Sequence, residues 1–366
     1  MIFALEATIE ELGKLGRVES ETLFSLLVDC DRGGRHFFVA SRSLCDWALN
    51  ELELSGRDRS HLIKLRQLYT QRGAFPNIAT YQVKITIGDH GITPHENGVF
   101  EIGHKRFIAG EFCQTKTAFV VEDITDDVCL YRHILSEAQK QTKIPSFDFD
   151  AVHGGGAGTP TVFEHEISKD RVTVCIVDTD KLAPCDGNSG TARKALRILK
   201  RRNQDNTRPD QPFIGIAYTT VGRELENYIP YSILKTVREY DSYRHRAALD
   251  AAVSEDGELD LSDNFWMHFD IKAGLDGEEL VTKVSRGQLS GESLQWICSK
   301  VGCEVEDATT LNIDGFGPNV VQNFLRDENA LRNFHRFTRM QYWKNLFLDH
   351  FETLLWFFAA PVRDRL

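Results

Sequence analysis

Two short apolar runs, residues 118–121 and 172–177, each stop at acidic residues: Glu122 with Asp126 after the first, Asp178 and Asp180 after the second. Asp178 and Asp180 are two apart, and on an extended segment that spacing turns both carboxylates to one side. A third acidic pair, Glu224 and Glu226, follows in RELENYIP with Arg223 beside it. Carboxylates gathered at strand ends repel one another, and a divalent cation relieves that repulsion. The chemistry open to them is that of an acidic, Mg²⁺-type site. Taken singly, a D-x-D is better read as a solvated loop, and the Glu224 and Glu226 pair as a helix cap or a surface pair. Glu122 and the D-x-D closing two separate strands is what favours a site.

Those acids need strands to hold them. Four strand candidates, TAFVVE, SFDFDAV, VTVCIVD and FIGIAYT, alternate with helical patterns between Thr117 and about Pro230. Short Val- and Ile-rich runs read as strands buried on both faces, and their alternation with helices predicts βαβ units and a parallel sheet. Ligand-handling residues in such sheets sit at the carboxyl ends of the strands. The helix after the first strand is marked by Val128, Tyr131, Ile134, Leu135 and Ala138 on one face, with Asp126 and Asp127 in its first turn. HGGGAG, residues 153–158, follows the second strand and is either a plain strand-to-helix turn or a backbone cradle for phosphate. No G-x-x-x-x-G-K-[ST] occurs anywhere in the sequence, so no ATPase of its own is recognisable.

Outside this segment, residues 1–111 read as an α+β region with a strand at HFFVA, helices between Ser41 and Tyr69, and a half-buried strand at YQVKITI. GVFEIGHKRFIAGEF predicts two strands around a glycine-containing turn. No chemistry is visible there, so packing or partner binding is expected. Beyond Pro230 the chain reads as mainly helical. It is interrupted by FWMHFDIKAGL, a strand-like run ending in Asp270 and Lys272, and it closes with a helix from Asn329 to Phe358. The stripe Leu331, Phe334, Phe337, Met340, Phe347, Phe351 and Leu354 on that helix is core or an oligomer interface. The expected boundaries are 1–111, 112–285 and 286–366.

At 366 residues, 42% hydrophobic and 27% charged, the chain can bury a full core. No run approaches the roughly 18 apolar residues of a membrane span; LLWFFAAPV is shorter and reads as core. The early acids of MIFALEATIEELG argue against a secretory leader, and a cytoplasmic protein is expected. The eight cysteines include no C-x-x-C pair and fit buried thiols better than disulfides or zinc. A net charge of −11 argues against coating nucleic acid by bulk electrostatics. Local basic stretches remain, at residues 193–208 and 238–246, with Arg193, Lys200, Arg201, Arg202 and Arg223 as candidate nucleic-acid contacts.

These residues together resemble a Toprim domain, the metal-binding fold shared by topoisomerases, primases and OLD-family (overcoming lysogenization defect) nucleases. The shared pattern is a strand ending in Glu122, an acid shortly after (Asp126), a glycine-rich turn after the next strand, and then Asp178-x-Asp180. E-x-E-N-Y, with Glu224 and Glu226, looks most like the OLD-type and stand-alone Toprim proteins of bacterial anti-phage defence. The resemblance covers residues 117–280. It implies a Toprim-like parallel sheet flanked by helices, and an endonuclease using two Mg²⁺ or Mn²⁺ ions. Glu122, Asp126, Asp178, Asp180, Glu224 and Glu226 would be the ligands, and Lys272 the match to a catalytic lysine. DNA is the more expected substrate. Asp123 departs from the pattern, which commonly has a glycine there. OLD proteins carry an ATPase, so a separately encoded ATPase or other sensor is the implied partner. A primase-like nucleotidyl transferase, a non-catalytic Toprim-fold subunit and an unrelated α/β protein with chance acids stay open.

Overall fold

The chain opens on a buried strand. The computed structural model describes residues 1–204, 212–253 and 263–363. Its first sheet comprises β1 (Ile2–Glu6), β2 (Phe37–Val39), β3 (Gln82–Thr86), β4 (Ile92–Pro94) and β5 (Val99–Gly103), in the order β2-β1-β3-β5-β4. β1 pairs parallel with β2 and β3, β3 pairs parallel with β5, and β4 closes the edge antiparallel. The α+β expectation for this region is thus corrected to a mainly parallel sheet. Helices link β1 to β2 and β2 to β3, and such crossovers return the chain in the same direction. The second strand expected in GVFEIGHKRFIAGEF is instead the helix His104–Ala109. Its buried residues, His104 and Phe107, are three apart, a helical rather than an alternating spacing.

The second sheet is wholly parallel. β6 (Ala118–Val121), β7 (Asp150–His153), β8 (Thr173–Val177) and β9 (Gly215–Thr219) lie in the order β7-β6-β8-β9. All four expected strands are present, and β6 and β8 are buried along their whole length. Phe119, Val121, Val174 and Ile176 face one layer of the core, and Val120, Cys175 and Val177 the other. The first layer receives Leu130, Tyr131, Ile134 and Leu135 from the helix Asp126–Gln139. The second receives Phe163 from the helix Thr159–Ser168 and Ala192, Ala195 and Ile198 from the helix Gly190–Leu199. From β6 the chain crosses to β7 on one side and then returns past β6 to β8 on the other. The carboxyl ends of β6 and β8 therefore flank a topological switch point, where open α/β sheets leave a crevice for ligands.

The C-terminal region departs from expectation in two places. FWMHFDIKAGL is not a strand: Phe265–Met267 is a 3₁₀ turn, and only Gly274–Asp276 (β10) extends, pairing antiparallel with Asn312–Asp314 (β11). The Trp266 and Phe269 carbonyls accept from the Asn227 side-chain amide at 2.6 and 3.0 Å in place of a neighbouring strand. The long helix expected over residues 329–358 breaks after Phe337. Gln141 captures the Thr338 carbonyl at 3.0 Å, and Met340 is extended, its side chain exposed, before the chain coils again. Of the apolar stripe, Phe334, Phe347, Phe351 and Leu354 are core. Among the described residues no helix is long and apolar enough to cross a membrane.

The last helix, Asp349–Phe358, is wedged between the two sheets. Phe357 stacks near Tyr81 (centroids 4.6 Å apart), while Phe358 meets Phe119 and Phe149 at 4.9 and 4.8 Å. The Phe357 carbonyl accepts from the Met1 amino group at 3.1 Å and from the Thr117 hydroxyl at 2.7 Å, so one peptide ties both sheets. LLWFFAA, read as core, is buried throughout. Phe358→Ala would leave a cavity in this junction and should lower stability by about 3–5 kcal/mol, read as a reduced urea midpoint. An unchanged midpoint would show that the helix does not fasten the sheets.

Candidate metal centre

Glu122 follows β6 and Asp178 follows β8, on either side of the switch point. The Asp178 N–H donates to Glu122 Oε1 at 3.3 Å, so a backbone hydrogen bond joins the two acids directly. The chain then turns at once. Asp180 has φ +56°, and its N–H donates to the Arg223 carbonyl at 3.0 Å. The expectation of an extended D-x-D is corrected: Asp180 reaches the Glu122 side of the crevice through a left-handed turn, a conformation Asp tolerates. Thr179, between them, pins the turn by donating its hydroxyl to the Gly222 carbonyl at 2.8 Å.

Glu224 and Glu226 lie on a strap after β9 that closes the crevice. The strap is held by its own Asn227, whose Oδ1 accepts the Glu224 N–H at 2.7 Å and whose amide donates to Trp266 and Phe269 as above. Tyr228 Oη accepts the Val221 N–H at 2.9 Å, and the Arg223 N–H donates to the Met267 carbonyl at 2.7 Å. Glu226 is 1% exposed. The Lys272 ammonium lies 2.8 Å from its Oε1, and Oε2 has no hydrogen-bond partner among the described residues. Glu224 Oε2 is likewise buried and unpartnered there.

The helix Asp126–Gln139 supplies the remaining acids. Asp126 accepts from the Gln322 amide at 3.2 Å, a contact with the C-terminal region. Its neighbour Asp127, passed over in the sequence, carries the stronger electrostatic link to the centre. Burial pushes it up to about 7, with the Glu226 charge adding to the rise against the Asp123 N–H and the Lys272 ammonium. The signal for it was the doubled acid in the first helical turn, where adjacent residues point about 100° apart and the sequence alone does not choose between them.

The electrostatics are those of crowded carboxylates. Asp178 is held well above the usual carboxylate range by burial and then by Glu122, Glu226, Asp127 and Glu224. Glu122 is raised by burial and by Asp180, against the Asp178 N–H and Lys272. Burial, then Asp270, push Glu224 up to about 7 against Arg223. Burial alone would lower Lys272, but Glu226, Glu224 and Asp178 outweigh it and hold the ammonium protonated.

Arg223 works within this centre. Its guanidinium lies 2.9 Å from Asp270 and 3.4 Å from Glu224, so its charge is already engaged by acids. Arg201 and Arg202 both pair with Glu164 of the helix Thr159–Ser168, Arg202 at 3.8 Å. Arg193 and Lys200 are exposed. Residues 205–208 of the basic run lie outside the described residues. The HGGGAG segment is a strand-to-helix turn whose glycines are conformational: Gly155 and Gly156 have φ of +72° and +57°, and the Gly155 N–H donates to the Glu122 carbonyl at 3.1 Å.

The donor set suits a hard divalent ion. All the donors are carboxylate oxygens, Glu224 Oε2 and Glu226 Oε2 are buried without partners among the described residues, and the mutual repulsion is offset nearby by Lys272 and Arg223. Among the described residues, no three His, Cys, Asp or Glu side chains already converge on a single point at ligand distance, so an ion would have to draw them in. No family model, curated protein or solved structure matches the chain.

Asp127 and Glu224 should make the metal-free chain pH-sensitive. A carboxyl whose folded value is about 7, against about 4 unfolded, binds its proton first in the folded state. Stability should rise as pH falls from 8 towards 5 and be lost as pH rises through 7. Thermal melts in EDTA at pH 8 and pH 6 should show the higher midpoint at pH 6. Asp127→Asn with Glu224→Gln should flatten the difference, and a midpoint that falls at pH 6 would refute the assignment.

Proposed function

We infer that this chain is a divalent-metal-dependent phosphodiesterase acting on nucleic acid, an endonuclease serving anti-phage defence. The observation that carries the reading is the buried Glu226, paired to Lys272 on one oxygen and without a partner among the described residues on the other, beside Asp178, Asp127 and Glu224 at the switch point. The Toprim-like order of Glu122, Asp178 and Asp180 supports it. So does the adjacent helix Gly190–Leu199 with its exposed cations.

Bound Mg²⁺ or Mn²⁺ supplies Lewis-acid activation of water and neutralises charge on the phosphate. The chain's own part is threefold. Glu122, Asp178, Asp180, Glu224 and Glu226, with Asp126 and Asp127 from the helix, offer oxygen ligands. Thr179 and Asn227 fix the backbones that carry them. Lys272, kept protonated, stands ready to offset charge developing on a phosphate oxygen. Without a P-loop the chain has no recognisable nucleotide motor, so control would come from a separately encoded sensor.

The test is incubation of supercoiled plasmid, linear DNA and total RNA with Mg²⁺, Mn²⁺ or EDTA. Wild type should consume one substrate class in metal and none in EDTA. Asp178→Ala/Asp180→Ala should be inactive, and Lys272→Ala slower by about 10²–10³-fold. Cleavage that survives in EDTA or in the double variant sinks the hydrolytic reading. No cleavage by wild type under any condition replaces it with that of a binding subunit.

A further inference from the structure

Arg193, Lys194, Arg197 and Lys200 project from the helix Gly190–Leu199 and its continuation, and all four are exposed. None has an acidic partner among the described residues, although the chain as a whole carries a net charge of −11. The opposite face of the same helix, Ala192, Ala195 and Ile198, is buried against β6, β8 and β9. The helix is also tethered to the acidic centre. Ser189 caps it by accepting the Ala192 N–H at 3.1 Å and donates its own hydroxyl to the Asp178 carbonyl at 3.1 Å, while the Ser189 N–H donates to the Thr179 carbonyl at 2.9 Å.

We propose that this four-residue basic face is the track that grips the sugar–phosphate backbone of the nucleic-acid substrate and leads it to the acidic centre. The proposal rests on the phosphodiesterase reading and assigns its substrate surface. From Arg193 to Lys200 the helix rises about 10 Å, the axial length of about three nucleotides of one strand. Phosphate contacts of this kind set register and orientation without reading sequence. An anionic membrane is the poorer fit, because a membrane-surface helix needs an apolar face to insert, and here that face is inside the core. Arg201, Arg202 and Arg223 are excluded from the track because their charges are engaged by Glu164, Asp270 and Glu224.

The test uses the full chain with R193Q/K194Q/R197Q/K200Q, and R332Q/R336Q/R339Q as a control for lost positive charge elsewhere. Anisotropy of fluorescein-labelled single-stranded DNA, RNA and duplex is followed against salt, in Ca²⁺ and again in EDTA. The fourfold variant should bind at least tenfold more weakly to the preferred form. Its log K against log salt slope should be shallower by about 2, as expected for about three lost phosphate contacts on a single strand. Hydrolysis of bis(p-nitrophenyl) phosphate, a diester too small to use the track, should be unchanged in the same variant. Unaltered affinity and slope, an equal loss in the control variant, or a wild type that binds phosphatidylserine vesicles in place of nucleic acid would each overturn the assignment. A wild type that hydrolyses nothing yet binds through these four residues would fail the phosphodiesterase reading and leave the track standing.

Discussion

The structure depends on enclosing one carboxylate among several others. Glu226 is almost fully enclosed, and the Lys272 ammonium is the charge beside it. Lys272 is itself 42% exposed, so the pair is buried on the Glu226 side only, and removing the ammonium would strand an enclosed carboxylate. What holds the acids together is the backbone. The D-T-D turn is bonded to the Thr220–Arg223 turn, that turn to Met267, and the strap carrying Glu224 and Glu226 to Trp266 and Phe269 through Asn227. Each such bond contributes about 0.5–1.5 kcal/mol net. Together they fix the segments so that repulsion shows itself in raised carboxyl values rather than in separation.

The same framework extends to the far end of the chain. The helix Asp349–Phe358 packs on both sheets, and the Phe357 carbonyl receives hydrogen bonds from Met1 and Thr117. The largest apolar cluster runs unbroken from Met1 through β6 and β8 to Ala359. Gln322 meanwhile holds Asp126 from the C-terminal side, so that region touches the acid-bearing helix directly. The regions distinguishable in the sequence thus share one core, and a change in how the last helix sits would be felt at the carboxyl edge of the second sheet.

Much of the second sheet was legible because β6 and β8 are buried on both faces, and such strands are written as short unbroken Val and Ile runs with punctuation at their ends. The acids stood at that punctuation. Features set by long-range partners were not legible. FWMHFD has the composition of a strand, but its carbonyls are diverted from about 40 positions earlier, at Trp266 and Phe269 by Asn227 and at Met267 by the Arg223 N–H. The break after Phe337 carries no Pro or Gly; Gln141, in the turn that follows the helix Asp126–Gln139, takes the Thr338 carbonyl there. Asp126 and Asp127 are equivalent in type and position, and only the packing of their helix decides which one the Glu226 charge reaches. Arg223 reads as a candidate nucleic-acid contact until Asp270 is folded against it.

The remaining question is why so many carboxylates are tolerated at one edge, and the answer lies in the direction of the sheet. In a parallel sheet every strand delivers the chain to the same edge, and each following helix therefore starts there. Here three do: Asp126–Gln139 after β6, Thr159–Ser168 after β7 and Gly190–Leu199 after β8. A helix N-terminus carries about half a positive charge, and each favours a nearby anion by about 0.3–1 kcal/mol. The fold thus partly offsets the crowding of Glu122, Asp127 and Asp178 before any side-chain cation contributes. An edge that accepts carboxylates for this reason accepts phosphate for the same reason. The architecture that lets the acids gather is then also the one that lets an anionic backbone approach them.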